Sequence, residues 1–457
     1  MSRYFREADP EGIARDYPAG PEFLDRLGKM SGDELRALQE RRFLDLIDRA
    51  WQVPFYRRRW AAVGLEPGDI AGLDDLVRIP PYSKDDLMES VGLSPPFGDF
   101  LGPPGAGHRV IMHTTSGTTG IPQPLFYGPR DREIQNLLLA RAYLLQGLRG
   151  DDVVHSVYGF GMVNGGHYIR EAILHYTDAL LLPAGTGLET RSEQQVAMMQ
   201  RYGATVLVGF ADYMLRLAET ARNAGLEPGR DIPVRMISGH LGDDGGASLS
   251  EAWGGVPTHD WYGVGDTGIV AAEGQERDGL HIWEDAHIVE ILDPETGSRV
   301  PDGARGTICV TVLFKQDVYP IVRFDTKDVS TVLPGTGSAG LPLRRLAGFQ
   351  GRSDNMVKLR GINVYPTAIG GLLRDIEGLG GEYLCRVTRV DGRDAMTVLC
   401  ETAPGVVGDT ELASAVADRL RQRLGVAVEV ELAGPGETAE LTELTRRQKP
   451  IRLIDQR

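Results

Sequence analysis

A segment rich in hydroxyl groups and glycine offers the clearest chemistry in this sequence. Residues 114–120 read TTSGTTG, with four threonines, one serine and two glycines, and they follow the apolar run RVIMH. Glycines leave backbone N–H groups accessible and hydroxyls add further donors, which suits the oxygens of a phosphate chain. A plain polar turn is the alternative interpretation of the same residues.

The same segment excludes one phosphate-binding motif and leaves a charge unmatched. No Gly-Lys-Ser/Thr follows Gly117 at the spacing of a Walker loop. Lysine is absent from residues 113–128. Positive charge for a bound phosphate chain must therefore come from another part of the protein.

The elements that must position this segment can be predicted from periodicity. Residues 22–62 indicate helices, with Ser31 as an N-cap, and Ser83 is a second N-cap candidate. From residue 109 onward, short apolar runs alternate with helical patterns, which predicts a parallel sheet covered by helices. Ligands bind beyond the carboxyl ends of such strands. In this sequence those ends are the loops at 114, 158, 209 and 239.

The second half of the sequence has a different texture. Residues 280–333 are β-rich, and 334–342 (PGTGSAGLP) form a loop. The remaining strand and helix patterns suffice for a small α+β domain. The predicted fold class is therefore α/β: a large N-terminal domain of helix-covered, mostly parallel sheets with a β-rich subdomain, followed by a small, mobile α+β C-terminal domain.

Composition narrows the classes of protein and partner. The chain has 457 residues, 42% of them apolar, and a net charge of −15, which disfavours nucleic acid and anionic membranes as partners. Its three cysteines form no CxxC motif, so neither a disulfide framework nor a cysteine zinc site is expected. No run of about 18 apolar residues and no signal-peptide pattern occur, and we expect a cytoplasmic protein without a membrane segment.

Six motifs in order turn the phosphate-binding hypothesis into a family resemblance. In sequence order and spacing they resemble the adenylate-forming superfamily of acyl-CoA synthetases, adenylation domains and luciferases. Within it the chain looks most like the phenylacetate–CoA ligase family, through its VPFYRRRW, GLHIWED and RGINVYPTAI segments. The six motifs are TTSGTTGIPQP, ISGHLGDD, HDWYGVGDTG, VRFDTKD, GRSDNMVKLRGINVYP and a lysine near the C-terminus in RRQKPIRLID.

The resemblance implies an enzyme that joins a carboxylate to AMP from ATP and then transfers the acyl group to a thiol, most often coenzyme A. Asp266 would act near Mg²⁺, bound directly or through a water. The family usually has Glu at this position, preceded by Ser or Thr, whereas this chain has Gly265. The expected ligands of the β- and γ-phosphates are Ser116, Gly117, Thr118, Thr119 and Gly120.

The remaining nucleotide contacts are carried over in the same way. Asp328 would accept the two ribose hydroxyls, since a carboxylate suits a vicinal diol. Lys449 would offset charge at the reacting centre, and Asp266 is the second expected catalytic residue. Further expected nucleotide-binding residues are Gly239, His240, Asp260, Trp261, Tyr262, Gly263, Thr267, Arg352 and Lys358.

The resemblance also implies two domains, residues 1–352 with the ATP and acyl sites and residues 353–457 with Lys449. A hinge near Asp354 would rotate the small domain between the two half-reactions. Lys358, Arg360 and Gly361 match the loop that serves the second one, and Gly370 departs from a Glu that is common in the family.

The acyl pocket is expected in the loops after two predicted strands, at YGFGMVNGGHY and VGFADY. Aromatic residues and small glycines would form a flat slot that fits an aromatic acid better than a long acyl chain. Ordinary core aromatics with turn glycines are the alternative. The expected pocket residues are Tyr158, Phe160, Gly161, Asn164, His167, Phe210 and Gly265.

A zinc site is not expected. His281 and His287 flank two acidic residues, but alternation in LHIWEDAHIVEI predicts one strand that would separate them by about 20 Å.

Two other functions remain open. A stand-alone adenylating enzyme of specialised metabolism could use a carrier protein, an amine or an unusual acid such as nitrite, and departures at Gln123, Gly265, Asp266 and Gly370 keep this alternative. A nucleotide-binding regulatory protein without catalysis is the other, and Asp328 and Lys449 argue against it. The resemblance also suggests a homodimer.

Overall fold

The computed structural model describes residues 2–102, 110–115, 122–241, 244–360, 362–373, 376–390, 393–443 and 450–457. Its internal contacts divide the chain into two compact units. One comprises residues 1–326 and 330–349, and the other comprises 327–329 and 350–457. The predicted boundary after Arg352 and the hinge near Asp354 stay predictions.

The larger unit begins with helices, as the sequence predicts. Ser31 caps the long fourth helix in a capping box, because its hydroxyl and Glu34 satisfy each other's backbone N–H groups. Asp86 accepts the backbone N–H of Ser83 at 2.7 Å before the sixth helix. The six helices are α1 (Arg3–Ala8), α2 (Pro10–Asp16), α3 (Gly20–Lys29), α4 (Gly32–Ala50), α5 (Pro54–Ala62) and α6 (Lys84–Leu93), with a 3₁₀ helix at Leu73–Arg78.

The alternating segment then folds as strands and covering helices. Its helices bury an apolar face where the pattern repeats at three and four residues, as with Met214, Leu217, Ala218 and Ala221. The elements are β1 (Ile111–Thr114), β2 (Pro124–Tyr127), α7 (Pro129–Leu145), β3 (Val153–Ser156), α8 (Gly165–Tyr176), β4 (Leu180–Pro183), α9 (Ser192–Tyr202), β5 (Val206–Phe210), α10 (Ala211–Asn223), β6 (Met236–His240), α11 (Ala247–Ala252) and β7 (Thr258–Val264).

The β-rich region supplies β8 (Gly268–Ala272), β9 (Leu280–Ile282), β10 (His287–Leu292), β11 (Arg305–Val312), β12 (Ile321–Leu333) and β13 (Arg345–Leu346). These join the earlier strands in one sheet of order β10-β11-β12-β13-β9-β8-β7-β6-β5-β3-β4. Strands β4, β3, β5, β6 and β7 are parallel, whereas β7 pairs with β8 in antiparallel fashion. The predicted α/β fold class is confirmed.

Two details of the predicted sheet are wrong. Among the described strands, β1 pairs with β2 in an antiparallel two-stranded sheet and not with the parallel strands of the large sheet, although Thr114 makes an isolated parallel bridge to Val163. His281 and His287 lie in separate strands, β9 and β10, because the chain turns at Trp283–Ala286. The alternation of apolar and polar residues is interrupted at Ile282–Trp283 and Glu284–Asp285, and this break marks the turn. Within the described residues no cluster of His, Cys, Asp and Glu forms a metal site.

The smaller unit is α+β. A short hairpin, β14 and β15, precedes a sheet of order β18-β17-β16-β19, and α13 packs on this sheet through Val416 and Leu420. Its elements are β14 (Val357–Leu359), β15 (Ile362–Val364), a 3₁₀ helix (Pro366–Ala368), α12 (Ile369–Leu373), β16 (Leu379–Val390), β17 (Arg393–Thr402), α13 (Thr410–Leu424), β18 (Glu429–Ala433), α14 (Ala439–Thr442) and β19 (Leu453–Asp455).

The length and hydropathy of a helix decide whether it can span a membrane. Among the described residues, no helix combines the length and the apolar character that a bilayer crossing requires.

Close contact between β5 and β6 depends on one glycine. Gly239 has φ +152°, and a Cβ at this position would lie 1.9 Å from the carbonyl oxygen of Gly209 on the neighbouring strand. Any residue other than glycine at 239 would therefore push the two strands apart. The need for glycine at 239 therefore has a packing cause.

We expect Gly239→Ala to lower the free energy of unfolding by about 3 kcal/mol or more, through the clash with Gly209 and the unfavourable φ. Gly161→Ala is the matched control, because Gly161 has φ +146° but no neighbour within 4 Å of its would-be Cβ. It should cost only about 1 kcal/mol. Chemical denaturation of both variants measures the difference, and equal losses would contradict the packing explanation.

Candidate active site

Four aromatic rings meet near the carboxyl ends of the parallel strands. Phe210 ends β5 and His240 ends β6, and their rings stack with centroids 5.0 Å apart and an angle of 27°. Trp261 on β7 lies 4.7 Å from His240, and Tyr158 after β3 lies 4.9 Å from Phe210. The predicted pocket residues Tyr158 and Phe210 and the predicted nucleotide residues His240 and Trp261 thus form one aromatic cluster.

Other predicted pocket residues lie together on the loop after β3 and in the first turn of α8. The His167 ring is 5.4 Å from Phe160, edge to face, and its Nε2 is 3.0 Å from the carbonyl oxygen of Gly161. The ring of His113, on β1, is 5.1 Å from His167. Burial, followed by the charge of Arg132, lowers the pKa of His113 to about 4, so this ring is neutral at pH 7.

Asn164 is placed differently from its predicted neighbours. Its side chain is buried, with its oxygen accepting from Arg132 at 2.6 Å and its nitrogen donating to the Tyr127 hydroxyl at 3.3 Å. Arg132 also donates to Glu171 at 2.5 Å, and Tyr127 donates to the Gly265 carbonyl at 2.8 Å. Asn164 therefore connects a buried ion pair to the turn at Gly265.

That turn carries Asp266, the expected magnesium residue. The Asp266 carboxylate accepts from Gln123 Nε2 at 2.6 Å and from the Tyr319 hydroxyl at 3.1 Å. The Asp266 backbone carbonyl accepts from the ammonium of Lys315 at 3.0 Å. Four side chains, including Tyr127 on Gly265, therefore hold two consecutive residues.

The turn lies in a buried cluster of charges. Asp131, Asp266 and Lys315 are each at most 3% exposed. Burial raises the pKa of both carboxyl groups and lowers the pKa of the Lys315 ammonium, while the opposite charges work against that shift. The positive charge of Lys315 therefore lies close enough to offset negative charge on the Asp266 side chain.

The residues around Asp266 fit a hydrated magnesium ion. Because a carboxylate only accepts hydrogen bonds, the amide nitrogen of Gln123 faces it and Gln123 Oε1 faces away. That oxygen is buried and has no hydrogen-bond partner among the described residues. A carboxylate beside an orphaned amide oxygen is an oxygen donor set of the kind that Mg²⁺ takes while it keeps its waters.

A β-bulge brings the chain into this turn. The register between β7 and β8 shifts between Tyr262 and Gly263, and bulges of this kind redirect the strand end. A Cβ at Gly263 would lie 2.3 Å from the carbonyl oxygen of Gly268, so the bulge needs glycine there. A Cβ at Gly265 would lie 2.6 Å from Leu125 Cδ1.

Tyr262 and Thr267 are buried in the sheet. The Tyr262 hydroxyl donates to Thr326 at 3.1 Å, and the Thr267 hydroxyl donates to the Gly268 carbonyl at 2.9 Å. The two hydroxyls therefore stabilise β7 and the start of β8, on either side of the turn that carries Asp266.

Asp260 is a buried carboxyl beside a second one. Its carboxylate accepts the Trp261 N–H at 2.8 Å, and its own N–H donates to Glu273 at 2.8 Å. Burial, followed by the charge of Glu273, raises the pKa of Asp260 to about 7. The group therefore holds its proton far above the range of an ordinary aspartate.

Residues of the smaller unit form a chain of ion pairs. Arg352 contacts Asp328 on β12 at 2.8 Å and Asp354 at 2.9 Å. Lys358 is exposed on β14, opposite Asn363. Thr442 precedes the expected catalytic lysine in sequence and Ile451 follows it. The Thr442 carbonyl accepts the Ile451 N–H at 2.8 Å. Lys449, Gly361 and the phosphate-loop residues Ser116, Gly117, Thr118, Thr119 and Gly120 lie outside the described residues.

Sequence reasoning did not identify Lys315, Tyr319, Tyr127 or Arg132. Lys315 follows the apolar strand β11 in the run FKQD, and a lysine directly after a buried strand was the available signal. The two tyrosines and Arg132 carried no local pattern, since their partners lie far away in sequence.

Comparisons with known proteins show which enzymes this chain resembles. The family model of the AMP-binding enzyme C-terminal domain matches residues 361–457. The chain is 31% identical to the phenylacetate–coenzyme A ligase of Aromatoleum evansii, covering 96% of this chain and 98% of that one. It is 33% identical to the Pseudomonas putida enzyme of the same name, covering 83% and 84%. Among solved structures, a 2-hydroxyisobutyryl-CoA ligase in the postadenylation state with R3-HIB-AMP matches with TM-score 0.82, 27% identity, and 94% and 91% coverage.

The raised pKa of Asp260 predicts a pH-dependent effect of substitution. Between pH 4 and 7 the folded protein keeps a proton that the unfolded chain releases, so this group costs stability as the pH rises. We expect Asp260→Asn to stabilise the protein, by about 2 kcal/mol more at pH 8 than at pH 5. Denaturation at both pH values measures this, with exposed Asp302→Asn as control. A gain independent of pH would contradict it.

Proposed function

The chain belongs to the phenylacetate–coenzyme A ligase family of adenylate-forming enzymes, and on that premise we propose that it activates an aromatic carboxylic acid for transfer to coenzyme A. The chain is an ATP-dependent, AMP-forming acid–thiol ligase. The aromatic nature of its acid and the roles of its individual residues are the parts proposed here.

The aromatic cluster is the observation that carries the proposal. Tyr158, Phe210, His240 and Trp261 present ring faces and edges within 4.7–5.0 Å of a neighbouring ring. Flat rings of this kind pack well against an aryl group. Trp261 Nε1 is buried without a hydrogen-bond partner among the described residues, so it offers a donor to a polar substituent on the acid. Trp261 lies on β7 and Asp266 on the turn that follows it, so this one strand would connect the acid site to the nucleotide site.

In the first half-reaction, a carboxylate oxygen attacks the α-phosphorus of ATP. The bond from that phosphorus to the bridging oxygen breaks, and pyrophosphate leaves with the electron pair. Backbone N–H groups and hydroxyls of residues 116–120 would hold the β- and γ-phosphates, and Lys449 would offset the charge that develops. Asp266 with Gln123 would hold Mg²⁺, which when bound neutralises phosphate charge.

In the second half-reaction, the coenzyme A sulfur attacks the acyl carbon, the bond to the AMP oxygen breaks, and the thiol proton is released to solvent. Asp328 would keep the ribose hydroxyls in place, with Arg352 fixing the direction of its carboxylate. Lys358 and Arg360 would serve this step. A carrier protein as acceptor, a homodimer and a cytoplasmic location remain predictions.

An acid screen tests the proposal. We expect pyrophosphate release with aryl acids to exceed that with straight-chain acids by at least about tenfold, because a flat pocket distinguishes shapes by a few kcal/mol. Coenzyme A should convert the adenylate to a thioester that mass spectrometry identifies. Pyrophosphate release without a coenzyme A product would instead favour a carrier protein or an amine as acceptor. Release with aliphatic acids alone would refute the aromatic assignment.

Two lysine variants test the division between half-reactions. Lys449→Ala should lower the rate of adenylate formation by about 100-fold or more, because it removes charge stabilisation at the reacting centre. AMP binding should remain nearly unchanged in calorimetry. Lys358→Ala should harm thioester formation from preformed adenylate more than adenylation. Adenylation that survives Lys449→Ala, or equal loss of both half-reactions in Lys358→Ala, would count against these assignments.

A further inference from the structure

We propose that Lys315, together with Tyr127 and Tyr319, is a positioning residue that fixes the Gly265–Asp266 turn and so directs the Asp266 carboxylate toward the metal that accompanies ATP. The inference rests on the nucleotide site of the proposed function. It adds three residues that the family motifs did not indicate.

The first argument is the burial of Lys315. Its side chain is 1% exposed, and a lysine is almost never buried to this degree unless its ammonium is paired. The ammonium donates to the Asp266 carbonyl at 3.0 Å. This hydrogen bond and the nearby carboxyl groups of Asp131 and Asp266 offset the cost of desolvating the ammonium.

The two tyrosines complete the same contact. The ammonium lies 4.9 Å from the ring centre of Tyr127 and 4.6 Å from that of Tyr319, within cation–π range. The hydroxyls of those rings reach the turn as well, at the Gly265 carbonyl and the Asp266 carboxylate. Lys315 and the two tyrosines that it contacts thus donate to three oxygen atoms of the Gly265–Asp266 turn: the two backbone carbonyls and the Asp266 carboxylate.

The composition of the turn explains why such support matters. Gly265 gives the backbone more freedom than other residues would, and a metal ligand must be held in one direction to bind well. The hydroxyl-rich segment has no lysine, so positive charge near the phosphates must come from another part of the chain. Lys315 supplies a positive charge beneath the turn, where it faces Asp131 and Asp266.

Lys315→Met tests the proposal, because methionine keeps much of the volume and removes the donor and charge. We expect the affinity for Mn²⁺ in the presence of ATP, measured by electron paramagnetic resonance, to fall about tenfold or more, as for lost support of a metal ligand. AMP affinity, measured by calorimetry without metal, should stay within about twofold of the unsubstituted protein. A general structural defect would lower both.

Tyrosine variants keep the test decisive if Lys315→Met does not fold. Tyr319→Phe keeps the ring over the ammonium and removes the bond to the carboxylate, and it should weaken Mn²⁺ binding at least threefold. Tyr143→Phe is the matched control, since its buried hydroxyl has no hydrogen-bond partner among the described residues. This control should leave Mn²⁺ binding unchanged.

The outcomes separate the two proposals. Wild-type Mn²⁺ affinity in Lys315→Met or Tyr319→Phe, or an equal loss of Mn²⁺ and AMP binding, would overturn the role of Lys315. A protein that binds Mn²⁺ with ATP but activates no aryl acid would refute the proposed acid and leave the role of Lys315 in place.

Discussion

A buried carboxylate at the end of β7 sets the requirements for much of the surrounding structure. Asp266 is 3% exposed, so its charge must be compensated by hydrogen bonds and by a nearby cation. Gln123, Tyr319 and Lys315 meet that requirement from three separate parts of the chain. The Asp266 residue at the end of β7 thereby joins Gln123, just after the hydroxyl-rich segment, to Lys315 and Tyr319, which follow β11.

The sheet places this group where its direction of pairing changes. Strand β7 is parallel to β6 and antiparallel to β8, and the Gly265–Asp266 turn connects β7 to β8. Phe210 and His240 end the neighbouring strands, so the aromatic cluster forms at the carboxyl ends of β5 and β6 without any long loop. Trp261 of this cluster lies on β7, the strand that leads into the Asp266 turn.

The sequence allowed the α/β class and the motif residues to be predicted, since both depend on local order along the chain. Strand β1 was misplaced because alternation identifies a strand and carries no information about which sheet it joins. The division between β9 and β10 was missed although the alternation breaks at Ile282–Trp283 and Glu284–Asp285, where the chain makes its turn. Lys315 was missed because its partner is 49 residues away, and only the folded chain brings the two together. The contacts of Asn164 with Arg132 and Tyr127 could not be predicted, because they depend on the position of α7, and its role at the substrate stays a prediction.

The residue type that position 265 can accommodate depends on the side chain at position 125. Leu125 is 2% exposed, and its methyl group occupies the space that a Cβ at 265 would need. A serine or threonine at 265 would require Leu125 to change rotamer or to be replaced by a smaller residue. The effects of substitutions at the two sites are therefore coupled: a side chain at 265 costs packing beside the leucine and costs less beside a smaller residue at 125.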